Sequence, residues 1–323
     1  MALIPLYPLR LEPALHTRVW GGRRLATLLG KTLPTDDPYG ESWEMHDSAR
    51  VADGPLAGQT IGAVLATYGT ALVGPANDPA KGMPLLAKLI DANDWLSVQV
   101  HPNDAQAAQL EGEPRGKTEA WYVIEAEPGA QLVIGVRPGS DRETIEAAIH
   151  ANRLEELLVY AAVETGDVLY VRAGTIHALG PGLLIYEIQQ SSDTTYRLYD
   201  WGRVGLDGRP RALHIEQGLA VAETTALPQI VHTGTDHASI VPLVEGDYFK
   251  TALHQLGGAN PAQVELDTAG QRFHILTCIA GEAAILWNGG EWPLEHGRSA
   301  LIPAAIDAYC LRGAGRVLRS QQP

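Results

Sequence analysis

The 323-residue sequence predicts a mainly β protein: two related jelly-roll barrels in tandem with a small helical insertion. Three observations carry that expectation. The chain is punctuated by 34 glycines and 21 prolines, which favours many short strands and tight turns over long helices. From Pro84 onward, short apolar or alternating runs are bounded by Asp, Asn, Pro and Gly, the pattern of half-buried strands. A repeat is also visible, because Gly166-Asp-Val-Leu-Tyr-Val-Arg172 and Gly297-Arg-Ser-Ala-Leu-Ile-Pro303 share a Gly, five mostly apolar residues and a turn. Each is preceded by a hairpin-like piece, Trp121 to Ile134 and His274 to Leu286. At about 150 residues per domain the length allows roughly two domains, and the division falls at residues 1–230 and 231–323.

Residues 1 to 80 read as loops and short strands around one helix, Ile61 to Tyr68, with Thr60 as N-cap. Strands follow at Leu85 to Ile90, Leu96 to Val100, Ala120 to Ile124 and Gln131 to Val136. Ser140 and Glu143 form a capping box ahead of Ile145, Ala148, Ile149, Leu154, Leu157 and Leu158, a helical spacing that makes the insertion. Strands resume at Asp167 to Arg172 and Leu183 to Gln189. His214-Ile-Glu216 is a second capping candidate, Leu227 to Thr235 reads as a connector, and the chain from 236 onward is a second β-rich unit.

Charge and cysteine content narrow the function classes. A net charge of −14 with no run of Lys or Arg opposes a nucleic-acid or anionic-membrane surface. No stretch of about 18 apolar residues occurs, no basic leader precedes the N-terminal prolines, and Cys278 and Cys310 read as two buried free thiols. A cytoplasmic protein is expected.

The chemistry-bearing residues cluster in the first barrel. Gln99 and His101 lie two apart on a strand, so their side chains leave one face and can converge on one ion. Glu119 opens the next strand and offers a carboxylate, and the Gly-rich turn before His177 swings its imidazole toward the barrel mouth. Such a set suits Zn²⁺ as a Lewis acid, although other divalent ions bind similar sets. Taken singly, His101 could merely precede the Pro102 turn and His177 could be a core or loop histidine. His16, His46, His150, His214, His232, His237, His254, His274 and His296 show no paired spacing and read as surface or hydrogen-bonded core, with only His46 placed to approach the site.

Gly166 to His177 resembles the second motif of the cupin superfamily, with Arg172 at a usual proline position. In the second copy the His position is Ala308, so the resemblance implies a cupin-like domain without metal ligands and one metal per chain. More specifically, Tyr39-Gly-Glu-Ser-Trp-Glu44, Pro84 to Asp91, Leu96-Ser-Val-Gln-Val-His-Pro102, Gly116-Lys-Thr-Glu-Ala-Trp121, Ala173-Gly-Thr-Ile-His177 and Gln189 to Asp200 resemble, in order, the type I phosphomannose isomerases in their short bacterial form. The resemblance is weak beyond residue 235. It implies a zinc held by Gln99, His101, Glu119 and His177, a catalytic Arg197, an accompanying Lys117 and an acidic Glu187. It also implies an aldose-ketose isomerase acting on a sugar phosphate.

That chemistry needs such residues. Interconverting mannose 6-phosphate and fructose 6-phosphate moves a proton between C1 and C2 through an enediol, so negative charge grows on sugar oxygens and must be stabilised. Glu187 is the candidate base, with a salt bridge to a nearby Arg as its structural alternative, and Arg197 and Lys117 are the candidate cations for enediolate or phosphate. For Arg197 the structural alternative is an ion pair with Asp193 or Asp200. Two rivals stand beside this reading: a cupin metal-dependent oxygenase, which would not need Lys117 or Arg197, and a non-catalytic sugar-phosphate-binding regulator, which would be expected to have a broken ligand set.

Overall fold

The computed structural model describes residues 4–225, 227–233 and 238–323; His237 and the start of the second unit at 236 lie outside them. The architecture is mainly β with cupin-like barrels, as the turn-rich sequence predicts. A seven-stranded sheet runs in the order Ile230–His232, Asp167–Val171, Glu119–Ala126, Leu183–Gln190, Leu85–Ala92, Tyr39–Met45, Ala14–Gly22. Two small sheets cover one of its faces: Ala178–Leu179, Gln131–Val136 and Leu158–Ala162 in one, Tyr196–Tyr199 with Val98–Val100 in the other. The second barrel is built on a nine-stranded sheet in which Leu9–Glu12, from the N-terminus, pairs with Ser299–Ile302.

Strand alternation explains where the site lies. Along Leu183–Gln190 every residue is buried, because the strand is covered on both faces. Leu183 and Ile185 point into the first barrel with Trp121, Val123, Ile90 and Leu169. Leu184, Tyr186 and Ile188 point the other way, packing with Ile275, Leu301 and Leu318 of the second sheet. Period-two alternation therefore sends Glu187 and Gln189 inward, and the same rule sends Lys88 and Glu119 inward from the neighbouring strands. The polar residues sit at one end of these strands and the apolar ones fill the rest of the barrel.

Several local expectations need adjusting. The Ile61–Tyr68 helix begins as predicted, the Thr60 side chain accepting the Ala63 N–H at 3.2 Å. The insertion helix spans Arg142–His150, but its N-cap is Asp141, which accepts the Thr144 N–H at 2.8 Å; Ser140 is not the cap. It stops short of Leu154 because Asn152 adopts φ 56°; Leu154–Leu157 is a 3₁₀ turn and Leu158 starts a strand. His214 precedes the Ile215–Val221 helix without capping it, its Nδ1 accepting the Arg197 N–H at 3.1 Å. Part of the expected connector pairs as Ile230–His232 along Asp167–Leu169. The first 80 residues also contain the short helices Arg24–Thr27 and Thr70–Val73. Cys278 is buried, whereas Cys310 is half-buried; both are free thiols.

Candidate metal centre and substrate cleft

His101 lies immediately after the Val98–Val100 strand, and His177 is held to the same strand by reciprocal backbone bonds with Gln99, at 3.0 and 2.9 Å. The turn that delivers His177 depends on Gly174. Its φ is +87°, and a Cβ there would lie 2.9 Å from the Glu223 side chain, so both backbone and space require glycine. On the other side, Lys117 and Glu119 follow Gly116, where a Cβ would come within 2.4 Å of the Asn103 backbone.

Hydrogen bonds orient both imidazoles. His101 Nδ1 donates to the Thr194 carbonyl at 3.0 Å and His177 Nδ1 to the Thr175 carbonyl at 2.8 Å. Each neutral ring then presents an Nε2 lone pair inward, the tautomer a metal ligand needs. His177 Nε2 lies 3.3 Å from Glu119 Oε1 and His101 Nε2 lies 3.5 Å from Glu119 Oε2. All three residues are buried, and one ligand atom from each falls within 4.8 Å of the others. Glu119 Oε1 has no hydrogen-bond donor. A buried carboxylate oxygen without a donor, faced by imidazole lone pairs, is costly for protein groups alone. The donor set fits a divalent cation. Gln99 Nε2 is 3.4 Å from His177 Nε2, at the edge of this set.

Lys117, itself buried, lies between the cluster and the adjoining cleft. Its Nζ contacts Glu119 Oε2 and lies 2.9 Å from His101 Nε2. Burial, then Lys117, holds the His101 pKa well below its ordinary value. Burial raises that of Glu119, but Lys117, His101 and His177 together outweigh it and hold the carboxyl well below its usual range. Both groups are thereby kept deprotonated, as ligands must be.

A cleft of about 610 Å³ opens beside the cluster, lined among others by Gln99, Lys117, Glu187, Arg197, Lys88 and Glu41. Glu187 faces Lys88 across the strand pair, with Lys88 Nζ 2.9 Å from Oε1, and Trp121 Nε1 donates to Oε2 at 3.1 Å. The salt-bridge partner of Glu187 is thus a lysine and not an arginine. Burial lowers the Lys88 pKa, yet Glu187 and Glu41 prevail and keep it above the ordinary lysine range. Glu41 is raised by burial but brought down to about 2 by Lys88 and Arg18. Lys88 has no assigned role in the sequence reading, although a lone lysine inside the apolar run Leu85-Leu-Ala-Lys-Leu-Ile90 is the signal that marks it.

Arg197 stands apart from these pairs. Asp200 is taken by Arg203 and Arg211, at 3.1 and 2.5 Å, and no carboxylate pairs with Arg197 among the described residues. Its Nη1 donates to the Ala212 carbonyl at 2.9 Å and its buried Nε has no partner. Burial and then Arg211 lower its pKa. His46 packs edge-on against Trp43, with ring centroids 4.8 Å apart, and takes no part in the ligand cluster.

Comparison with known proteins gives the family. Residues 8–136 match the family model "Phosphomannose isomerase type I, catalytic domain", and residues 239–322 match "Mannose-6-phosphate isomerase, cupin domain". Over 319 residues the sequence is 36% identical to a probable mannose-6-phosphate isomerase of Bacillus subtilis, covering 95% of this chain and 96% of that protein. The chain belongs to the type I phosphomannose isomerases. Membership makes it an enzyme, and the likeness extends through the second barrel, where the sequence motifs are weak. A mannose-6-phosphate isomerase of Streptococcus mutans is 35% identical over 97% of this chain and 98% of its own. The crystal structure of the mannose 6-phosphate isomerase from Bacillus subtilis superposes with a TM-score of 0.87 at 29% identity, covering 98% of this chain and 99% of that one. Among the described residues no helix is long and apolar enough to cross a membrane.

Proposed function

We propose that this phosphomannose isomerase interconverts mannose 6-phosphate and fructose 6-phosphate through an enediol, using one Zn²⁺ per chain held by His101, Glu119, His177 and Gln99. The observation that carries the reading is the buried His101–Glu119–His177 cluster beside a cleft lined by Gln99, Lys117, the Lys88–Glu187 pair and Arg197. Bound there, the ion would supply positive charge against the sugar oxygens that become negative in the enediolate.

The chain's own groups do the rest. Glu187 is assigned as the base that lifts the C2 proton, because its carboxylate is on the cleft wall and held in place by Trp121. Lys88 Nζ lies 2.9 Å from the other oxygen, Oε1, and as a cation it positions the carboxylate, which takes the proton from C2 and returns it at C1. Arg197, without a carboxylate partner among the described residues, is assigned to the growing enediolate or to the phosphate dianion. Lys117 orients Glu119 and adds positive charge at the cleft floor. On this reading residues 1–230 are the catalytic unit and 231–323 a cupin-like unit without metal ligands, in a cytoplasmic enzyme whose thiols stay reduced.

A coupled assay for fructose 6-phosphate from mannose 6-phosphate, run before chelation, after it and with Zn²⁺ restored, tests the proposal. Turnover is expected to fall on chelation and return with zinc. Zinc-replete protein that does not turn over would overturn it.

A further inference from the structure

The second barrel has lost the metal-ligand pattern, yet its interior is not wholly apolar. His254 on Lys250–Leu256 shares a face with Leu256, His274 on His274–Trp287 shares one with Leu276, and Arg319 on Ala308–Gln321 shares one with Val317. Leu256, Leu276 and Val317 all belong to the core of that barrel, so the three polar side chains enter it too. Register brings them together. His254 is opposite Val317 and Leu276 is opposite Arg319, so each imidazole lies diagonally beside the guanidinium, one on either flank.

These groups lack partners. Both ring nitrogens of His254, Nε2 of His274 and Nε of Arg319 are buried without a hydrogen bond, although both histidines are almost completely inaccessible. His274 Nδ1 alone is engaged, with the Tyr309 hydroxyl at 2.8 Å. No carboxylate pairs with Arg319 or with nearby Arg272 among the described residues. Buried polar atoms without partners carry a desolvation cost, here for both imidazoles and for Nε of the half-buried Arg319. Positive charge disfavours a cation here, and several convergent N–H donors favour an oxyanion. Burial, and after it the nearby Arg319 charge, pushes both imidazoles down, to about 4 for His254 and about 3 for His274.

We propose that the interior of the second barrel is an anion site that takes a phosphate group between Arg319, His254 and His274, separate from the catalytic cleft. Neutral imidazoles can each donate one N–H to such a group while the guanidinium supplies the charge. The ligand class is free phosphate or a phosphate monoester, which share this chemistry.

Zinc-loaded full-length protein carrying ¹³C-labelled histidine is titrated with inorganic phosphate in phosphate-free buffer, and then with mannose 6-phosphate. The His254 and His274 signals are assigned from His254→Gln and His274→Gln. Both are expected to move saturably with inorganic phosphate; movement with the sugar phosphate alone would identify the monoester as the ligand. Arg319→Leu is expected to weaken that response roughly tenfold or more, the scale of a lost charge-assisted contact, while kcat and KM for mannose 6-phosphate stay as in the wild type. Signals from both histidines that remain still, with ordered water alone filling the site, would overturn the proposal. So would an Arg319→Leu protein that responds like the wild type. The wild-type titration decides the question even if a variant fails to fold.

Discussion

His101 and His177 differ from the other described histidines in what their Nδ1 atoms do. Each spends that hydrogen on a backbone carbonyl, which leaves Nε2 as a ligand atom and aims it at Glu119. His177→Ala is expected to lose bound metal and turnover together, measured as zinc per chain alongside the coupled assay. Arg197→Ala is expected to behave differently: zinc content stays, while kcat falls by about 10²–10³, the usual consequence of removing a group that meets transition-state charge. Full activity in that variant would remove Arg197 from the mechanism. The clustered His101, Glu119 and His177 and the cleft-lining Arg197 were picked out from the sequence as candidates because they sit in short ordered motifs. The partner of Glu187 was not, since Lys88 is 99 residues away and meets it only through strand pairing.

At the level of single elements, the turn ahead of His177 and the strands of the second barrel make separate predictions. Gly174→Ala forces a side chain into a left-handed position against Glu223. It is expected to cost roughly 1–3 kcal/mol and to lower zinc content by displacing His177, both visible in thermal melts of the apo and loaded protein. In the second barrel, an unfolded histidine takes a proton near 6.5, whereas folded His254 and His274 do so only near 4 and 3. The unfolded chain therefore binds more protons below 6.5, and stability falls as pH drops through that window. Between pH 7 and 5 each imidazole removes about 2 kcal/mol. Urea midpoints in phosphate-free buffer should fall less steeply with acid in His254→Gln than in the wild type. These histidines read from sequence as surface or hydrogen-bonded core, because no spacing announces that three strands will bring them beside Arg319.

Across the whole molecule, the two barrels share an apolar seam and buried polar links, among them Tyr186 to Ser320 at 2.9 Å. Leu89, Tyr186 and Ile188 of the first sheet pack with Ile275, Leu301 and Leu318 of the second. Within that seam Glu44 accepts from Ser299 at 2.9 Å and pairs with Lys31 at 2.6 Å, while Lys31 also donates to the Gly297 carbonyl at 2.7 Å. Lys31→Met would strand a buried carboxylate, and a loss of about 3–5 kcal/mol is expected, read from chemical denaturation. A chain ending near residue 230 would expose the seam and leave Leu9–Glu12 without Ser299–Ile302. It is expected to lose its near-ultraviolet circular dichroism, and a cooperative melt in that fragment would show that the barrels fold apart.

The sequence by itself determined the strand-rich architecture, the order of the elements and the four candidate ligands, because turns, period-two alternation and motif spacing are local properties of the chain. It misplaced the N-cap of the insertion helix and carried that helix past Asn152, where the left-handed backbone of one residue outweighs the apolar spacing beyond it. Only the tertiary structure decided that Glu187 faces Lys88, that Arg197 has no carboxylate partner among the described residues, and that Leu9–Glu12 belongs to the sheet of the second barrel. Those are facts of register and of which face a strand presents, set by pairings between residues far apart in the chain.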